Sequence, residues 1–240
     1  MSVHRTWPIA AAALLALSLA ACNPSAAVDD EKPAAADAST TAPAPGAPEG
    51  GGGLTLPAVV KLLPVGVEKR DGYERDSFRH WVDEDKDGCS TRNEVLLAEA
   101  TVAPEQGARC ALTGGEWVSY YDEETVTAAG KLDIDHMVPL AEAWDSGASG
   151  WDADRRERYA NDLGAERSLV AVTARTNRQK ADKDPSQWLP PSASAQCTYG
   201  ADWVGTKLRW KLEADEKEIT ALEELAAGCE DTLVEFEVAP

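Results

Sequence analysis

Four cysteines, Cys89, Cys110, Cys197 and Cys229, constrain this chain more than any other feature. An even set at wide spacing reads as two disulfides formed outside a reducing cytosol. Three pairings are open. Cys89–Cys110 with Cys197–Cys229 is favoured, because each bridge is then local and brackets one candidate structural unit, worth about 3 kcal/mol in the chain-entropy model. Zinc is the weaker reading: no cysteine pair has C-x-x-C spacing, and beyond the N-terminal segment the only imidazoles are His80 and His136.

The N-terminal part cannot contribute to a core. His4 and Arg5 precede an apolar run, Ile9 to Ala20, that has the length of an export signal and is too short to span a bilayer. It ends in Leu19-Ala20-Ala21-Cys22, which resembles the lipobox of bacterial lipoproteins; a plain signal with a chance cysteine is the alternative. Residues 1–21 are therefore expected to be a lipoprotein signal peptide and Cys22 the lipidation site. Residues 22–53 are expected to be a flexible Ala/Pro/Gly-rich tether, and residues 54–240 the folded domain. The implied location is extracytoplasmic, held at the bacterial cell membrane through lipid alone.

Within the folded part, Leu56 to Leu63 is a short helix or strand limited by Pro57 and Pro64. Thr91 to Ala100 has the Thr-x-x-Glu start of a capped helix, with Glu94 as the partner of Thr91. Gly115 to Tyr121 and Leu132 to His136 alternate as strands, the second placing Leu132, Ile134 and His136 on one face and both aspartates on the other. Pro139 to Trp144 and Asp152 to Asp162 read as short helices, and Leu169 to Val172 as an apolar strand. A helix follows from about Thr176 and must stop before Pro185. Ala201 to Cys229 has the spacing of one or two amphipathic helices.

Asp135-His136 is the pair that could carry chemistry. Cleaving a phosphodiester needs a base for water and positive charge for the developing phosphorane. An imidazole supplies the first at neutral pH, and a carboxylate with an amide oxygen can hold Mg²⁺ for the second. Alone, a histidine at a strand end is more often an ordinary hydrogen-bonded residue. The order of elements adds weight: strand with Asp-His, second strand, then a helix opening Asn177-Arg178-Gln179-Lys180 form a β-β-α unit that can set Asn177 opposite Asp135.

Over these segments the sequence resembles the HNH, or ββα-metal, endonucleases, and among them the C-terminal domain of GmrSD-type restriction enzymes. The matching stretches are Asp133 to Trp144, Tyr159 to Leu163, Leu169 to Val172, Asn177 to Lys180 and Asp184 to Pro191, with further likeness at Asp87 to Asn93 and Cys197 to Tyr199. The resemblance implies an α+β fold with a ββα-metal core, extra helices and disulfide bracing. It implies that His136 is the general base, that Asp135 and Asn177 hold one divalent metal, Mg²⁺ or Mn²⁺, that Asn161 orients His136, and that Lys180 steadies the scissile phosphate. The second histidine usual on the family's helix is absent, and Asn177 or Lys180 stands in its neighbourhood. The implied partner is nucleic acid, DNA first and RNA second, bound by a monomer.

A formal charge of -19 opposes general binding to phosphates. Between Lys131 and Lys183, however, basic and acidic residues are nearly balanced. Arg155, Arg156, Arg158, Arg167, Arg175, Arg178, Lys180 and Lys183 could line a phosphate groove, with Arg175 and Arg178 the first candidates. For each, a solvated helix face with partners such as Asp154-Arg158 is the plain alternative. Seven tryptophans beyond the N-terminal segment are read as core or lid packing rather than base-stacking platforms.

Asp83-x-Asp85-x-Asp87-Gly88, followed by Glu94, has the D-x-D-x-D-G-x₅-E spacing of a calcium loop. Ser90 stands where such loops carry an apolar residue, and a solvated acidic turn is the alternative. A rival function follows from it: a non-catalytic, calcium-stabilised surface lipoprotein that binds a partner or the cell wall on a degenerate nuclease scaffold.

Overall fold

A computed structural model describes residues 53–240. The expected signal peptide, the lipidation site at Cys22 and almost all of the tether lie outside the described residues. The chain runs through β1 (Leu54–Thr55), α1 (Leu56–Val60), α2 (Thr91–Ala98), β2 (Glu105–Gln106), β3 (Leu112–Thr113), β4 (Trp117–Ser119), β5 (Glu124–Val126) and β6 (Leu132–His136). It continues through α3 (Leu140–Asp145), α4 (Ala153–Ala160), β7 (Leu169–Thr173), α5 (Ala174–Lys180), α6 (Gln196–Trp210), α7 (Glu216–Ala226) and β8 (Leu233–Val234). The fold mixes helices with small antiparallel sheets, and no helix among the described residues is long and apolar enough to cross a membrane.

At the centre, β6 pairs antiparallel with β7 in full register, from Leu132 opposite Thr173 to His136 opposite Leu169. The alternation read from the sequence sorts side chains to two cores. Leu132, Ile134, Leu169 and Ala171 pack with Val95, Leu96 and Trp117, whereas Val170 and Val172 join the larger cluster with Tyr121, Tyr199, Trp203 and Val204. Side chains finish the ladder on the outer edge of β7: Glu99 Oε2 accepts from the Ala171 amide at 2.9 Å and Ser119 Oγ from the Thr173 amide at 3.1 Å.

Both favoured disulfides are present, Cys89–Cys110 and Cys197–Cys229. The first ties the acidic loop to the segment before β3; the second joins the start of α6 to the end of α7. The helices differ from expectation at their ends. Ser90 is the N-cap of α2, without a side-chain cap bond, and Thr91 Oγ1 instead donates to the Val82 carbonyl at 3.0 Å and to Asn161 Oδ1 at 2.8 Å. The expected Thr91-Glu94 capping box therefore does not form: long-range partners claim the hydroxyl. Asp152 caps α4 by accepting from the Arg155 amide, and Thr173 caps α5 by accepting from that of Thr176. The strand expected over 115–121 is confined to β4, a hairpin with β5.

Candidate functional site

β6 ends as the chain enters α3, whereas α5 leaves β7 at the other end of the antiparallel ladder, beside Leu132, and packs back against β6; a cleft of about 490 Å³ is lined by residues of β6, α3 and α5. Asp135 and His136 line this cleft together with Asn177 and Arg178 from α5, and Tyr73 and Arg75 from the segment before α2. Both members of the Asp-His pair are 5% exposed, buried except where they meet the cleft.

Asp135 is held from behind. Its Oδ2 accepts from the Tyr121 hydroxyl at 2.7 Å and lies 2.7 Å from Lys180 Nζ. Lys180 is fully buried and also donates to the His136 carbonyl at 3.0 Å, so one ammonium fixes both the carboxylate and the backbone of its neighbour. Burial pushes the Asp135 carboxyl up and the Lys180 amine down, each partly countered by the other's charge. Burial, then Asp135, holds the Tyr121 hydroxyl far above its ordinary range, so it stays a donor.

His136 Nε2 lies 3.0 Å from the Ala160 carbonyl at the end of α4. A carbonyl only accepts, so Nε2 carries the proton and Nδ1 keeps a free lone pair. Burial lowers the imidazole pKa to about 3, helped by the charges of His80, Arg75 and Lys180, while the Ala160 bond works the other way. The ring is thus neutral at physiological pH. Trp81, at a φ of 62°, sets its indole 5.4 Å from the imidazole.

Asn177 donates through Nδ2 to Asp133 Oδ2 at 3.4 Å, which leaves its amide oxygen as the uncommitted end. One oxygen of Asp135 is likewise uncommitted. Two hard oxygen donors on facing elements fit a small divalent cation that retains most of its waters. The residues present therefore suit the metal that the sequence implies.

Several expected site residues stand elsewhere. Lys180 does not line the cleft: it sits behind Asp135, where it acts on the carboxylate rather than on substrate. Asn161 does not touch the His136 ring. It accepts from the Val82 amide and Thr91 Oγ1, and donates to the Arg79 and Glu157 carbonyls, closing the acidic loop against the end of α4. Its neighbour Ala160 makes the bond to His136, so Asn161 holds the ring only at one remove. Arg175 pairs with Asp122 and Glu124 at the β4–β5 hairpin and leaves Arg178 as the expected groove cation that reaches the cleft. Arg155 and Arg156 spend their guanidinium groups on backbone carbonyls. Tyr121, the Ala160 carbonyl, Tyr73 and Arg75 were not expected from sequence; nothing in their local pattern distinguishes them.

In the acidic loop, oxygens of Asp83, Asp85 and Asp87 lie within 4.8 Å of one another, all exposed, and Gly88 takes the sharp turn at a φ of 99°. Burial, then the charges of Asp87, Asp85 and Asp83, raises Glu94. An α-helix follows the loop directly, at Thr91, but none leads directly into it. Of the tryptophans, Trp117, Trp203 and Trp210 are buried in the core.

Residues 91–225 match the model of the family described as GmrSD restriction endonucleases, C-terminal domain. The chain is also similar to a protein of Arthroderma benhamiae named as an uncharacterized secreted protein, 39% identical over 191 residues that cover 79% of this chain and 92% of the relative. No solved structure matches it at a significant level.

Proposed function

Because the chain belongs to the family of GmrSD restriction endonuclease C-terminal domains, we propose that it is a metal-dependent endonuclease that hydrolyses phosphodiester bonds of DNA or RNA. The observation that carries the reading is the meeting of Asp135, His136 and Asn177 in one cleft, with the His136 ring oriented by a backbone carbonyl. On this reading β6, β7 and α5 are a ββα-metal core, split by α3 and α4.

Asp135 and Asn177 would hold one Mg²⁺ or Mn²⁺, which when bound neutralises charge at the phosphate and the leaving oxygen. His136 Nδ1 takes the proton of the attacking water, and the Ala160 carbonyl stabilises the imidazolium that results. Tyr121 and Lys180 keep Asp135 in one rotamer, with a single oxygen turned to the cleft. Lys180 also offsets the charge of Asp135, so the carboxylate by itself is a weak metal site and affinity depends on the negative charge that substrate brings. Two disulfides and the secreted relative support an extracytoplasmic location; lipid attachment at Cys22 is the finer part of the same proposal.

The test is nicking of supercoiled plasmid, and cleavage of single-stranded DNA and RNA, by oxidised protein with Mg²⁺ or Mn²⁺. Wild type should cut and His136→Ala should lose about 10²-fold or more, the range for a general base. Intact substrate with folded wild type, or full activity in the variant, overturns the proposal.

A further inference from the structure

Two residues that line the cleft, Tyr73 and Arg75, come from the segment 69–78, before the region that matches the family. This segment has no regular structure except one 3-10 turn at Arg75–Ser77, yet it is firmly anchored. Arg70 reaches Asp145 through Nε at 2.8 Å from Oδ1 and Nη2 at 2.6 Å from Oδ2, and Asp182 through Nη1 at 2.7 Å. Trp144 Nε1 donates to the Asp71 carbonyl at 3.2 Å, Gly72 turns at a φ of 78°, and Arg156 Nε donates to the Ser77 carbonyl at 3.1 Å. Phe78 closes the segment in the core against Trp144 and Tyr159. Between these anchors, Tyr73 and Arg75 face the cleft.

Arg75 is exposed, and no carboxylate among the described residues pairs with it; the same holds for Arg178 in the same cleft. In a chain of formal charge -19, two guanidinium groups without a carboxylate partner in one cleft are a local concentration of positive charge. Asp182, which also lines the cleft, is already engaged by Arg70, and Asp135 by Lys180. A planar guanidinium with free donors, beside a base that activates water, is suited to non-bridging oxygens of a phosphate.

We propose that Arg75, which shares the cleft with Asp135 and His136, is a catalytic residue that grips the scissile phosphate, with Arg178 holding the strand beside it. The inference rests on the nuclease reading above. It gives the acidic protein a local phosphate site without a basic face, and assigns to the segment before the family region the completion of the cleft.

The experiment compares wild type, Arg75→Ala and Arg75→Lys in the plasmid assay with Mg²⁺. It also follows binding of a labelled DNA duplex to His136→Ala and to His136→Ala/Arg75→Ala across a range of NaCl. Arg75→Ala should lower kcat/KM by about 10- to 100-fold with an unchanged melting temperature, and Arg75→Lys should recover part of it, keeping charge but not the two-donor fork. The slope of log affinity against log salt should fall by about one on loss of Arg75. If wild type cuts and Arg75→Ala cuts as fast, the inference is overturned while the nuclease reading stands. An unchanged salt slope overturns it as well, whether or not wild type cuts, whereas an uncut plasmid with a reduced slope removes the nuclease reading and with it the catalytic role of Arg75.

Discussion

Replacing Lys180 with methionine separates the two things this buried ammonium does. Its Nζ lies 2.7 Å from Asp135 Oδ2 with no solvent access, and 3.0 Å from the His136 carbonyl. At an effective dielectric of about 20, unit charges at that separation attract by about 6 kcal/mol. Methionine fills similar volume and removes the attraction, leaving a buried carboxylate with only the Tyr121 hydroxyl. The loss is capped, because Asp135 can take up a proton instead: at 1.36 kcal/mol per pKa unit, moving from the ordinary 3.8 to neutral pH costs about 4 kcal/mol. We therefore expect Lys180→Met to destabilise the fold by about 3–5 kcal/mol near neutral pH, about 6–20 °C in melting temperature. In the variant, Asp135 is raised in the folded state above its unfolded value. Its protonated form then favours folding, so stability falls as pH rises through the raised pKa and the deficit shrinks toward pH 4. The double variant Lys180→Met/Asp135→Asn should recover most of the loss, since neither charge remains buried. Urea unfolding of wild type, single and double variants near pH 7 and near pH 5 measures this. A single-variant deficit below about 1 kcal/mol, or a double variant no more stable than the single, would refute the reasoning.

With His136 held at about 3 by burial, kcat/KM in saturating metal should show no acid limb near the ordinary imidazole pKa of 6.5; an inflection there contradicts the buried neutral ring. Burial raises Glu99 and Asp202 to about 7, so these two groups stabilise the fold below about pH 4 and lose that contribution as pH rises through 7; Glu99→Gln with Asp202→Asn should flatten the melting temperature between pH 5 and 8 relative to wild type. Asn161→Ala removes the partner of the Val82 amide and of the Arg79 and Glu157 carbonyls, and leaves Thr91 Oγ1 only the Val82 carbonyl; it should lower kcat with little change in KM while amide exchange rises over residues 79–91, and equal protection in both proteins would show that Asn161 is not the clamp. If Asp83, Asp85 and Asp87 hold calcium, millimolar Ca²⁺ should raise the melting temperature of wild type and not of Asp85→Asn; no shift in wild type identifies a solvated turn.

The parts legible in the sequence were those fixed by local pattern. β6 and β7 announce themselves by alternation and apolar content, α5 follows a strand with a Thr able to cap it, and the disulfides join their nearest neighbours. The site was legible only to its first layer. Asp135, His136 and Asn177 reach one cleft, but what holds them comes from distant residues of ordinary type: Tyr121 in a hairpin, the carbonyl of Ala160, and Arg75 on an irregular strap. Lys180 was misplaced for the same reason. A lysine on a helix looks like a surface cation until a carboxylate on another strand draws it inward, and no periodicity within α5 records that partner. Thr91 shows the same competition on a smaller scale, its hydroxyl taken by Asn161.

β1 and β8 pair antiparallel at the two ends of the described domain, Leu54 opposite Val234 and Thr55 opposite Leu233. Tension applied between residue 53 and residue 235 would therefore load this clasp as a zipper, one hydrogen bond at a time, and not in shear across the ladder. A pull applied instead at the C-terminus meets another latch first, since Arg209 donates to the Glu237 carbonyl at 2.9 Å and its own carbonyl accepts from the Ala239 amide at 2.9 Å. A pull on the ends should peel the terminal segments first, leaving the β6–β7 ladder and its cleft as the last part to yield.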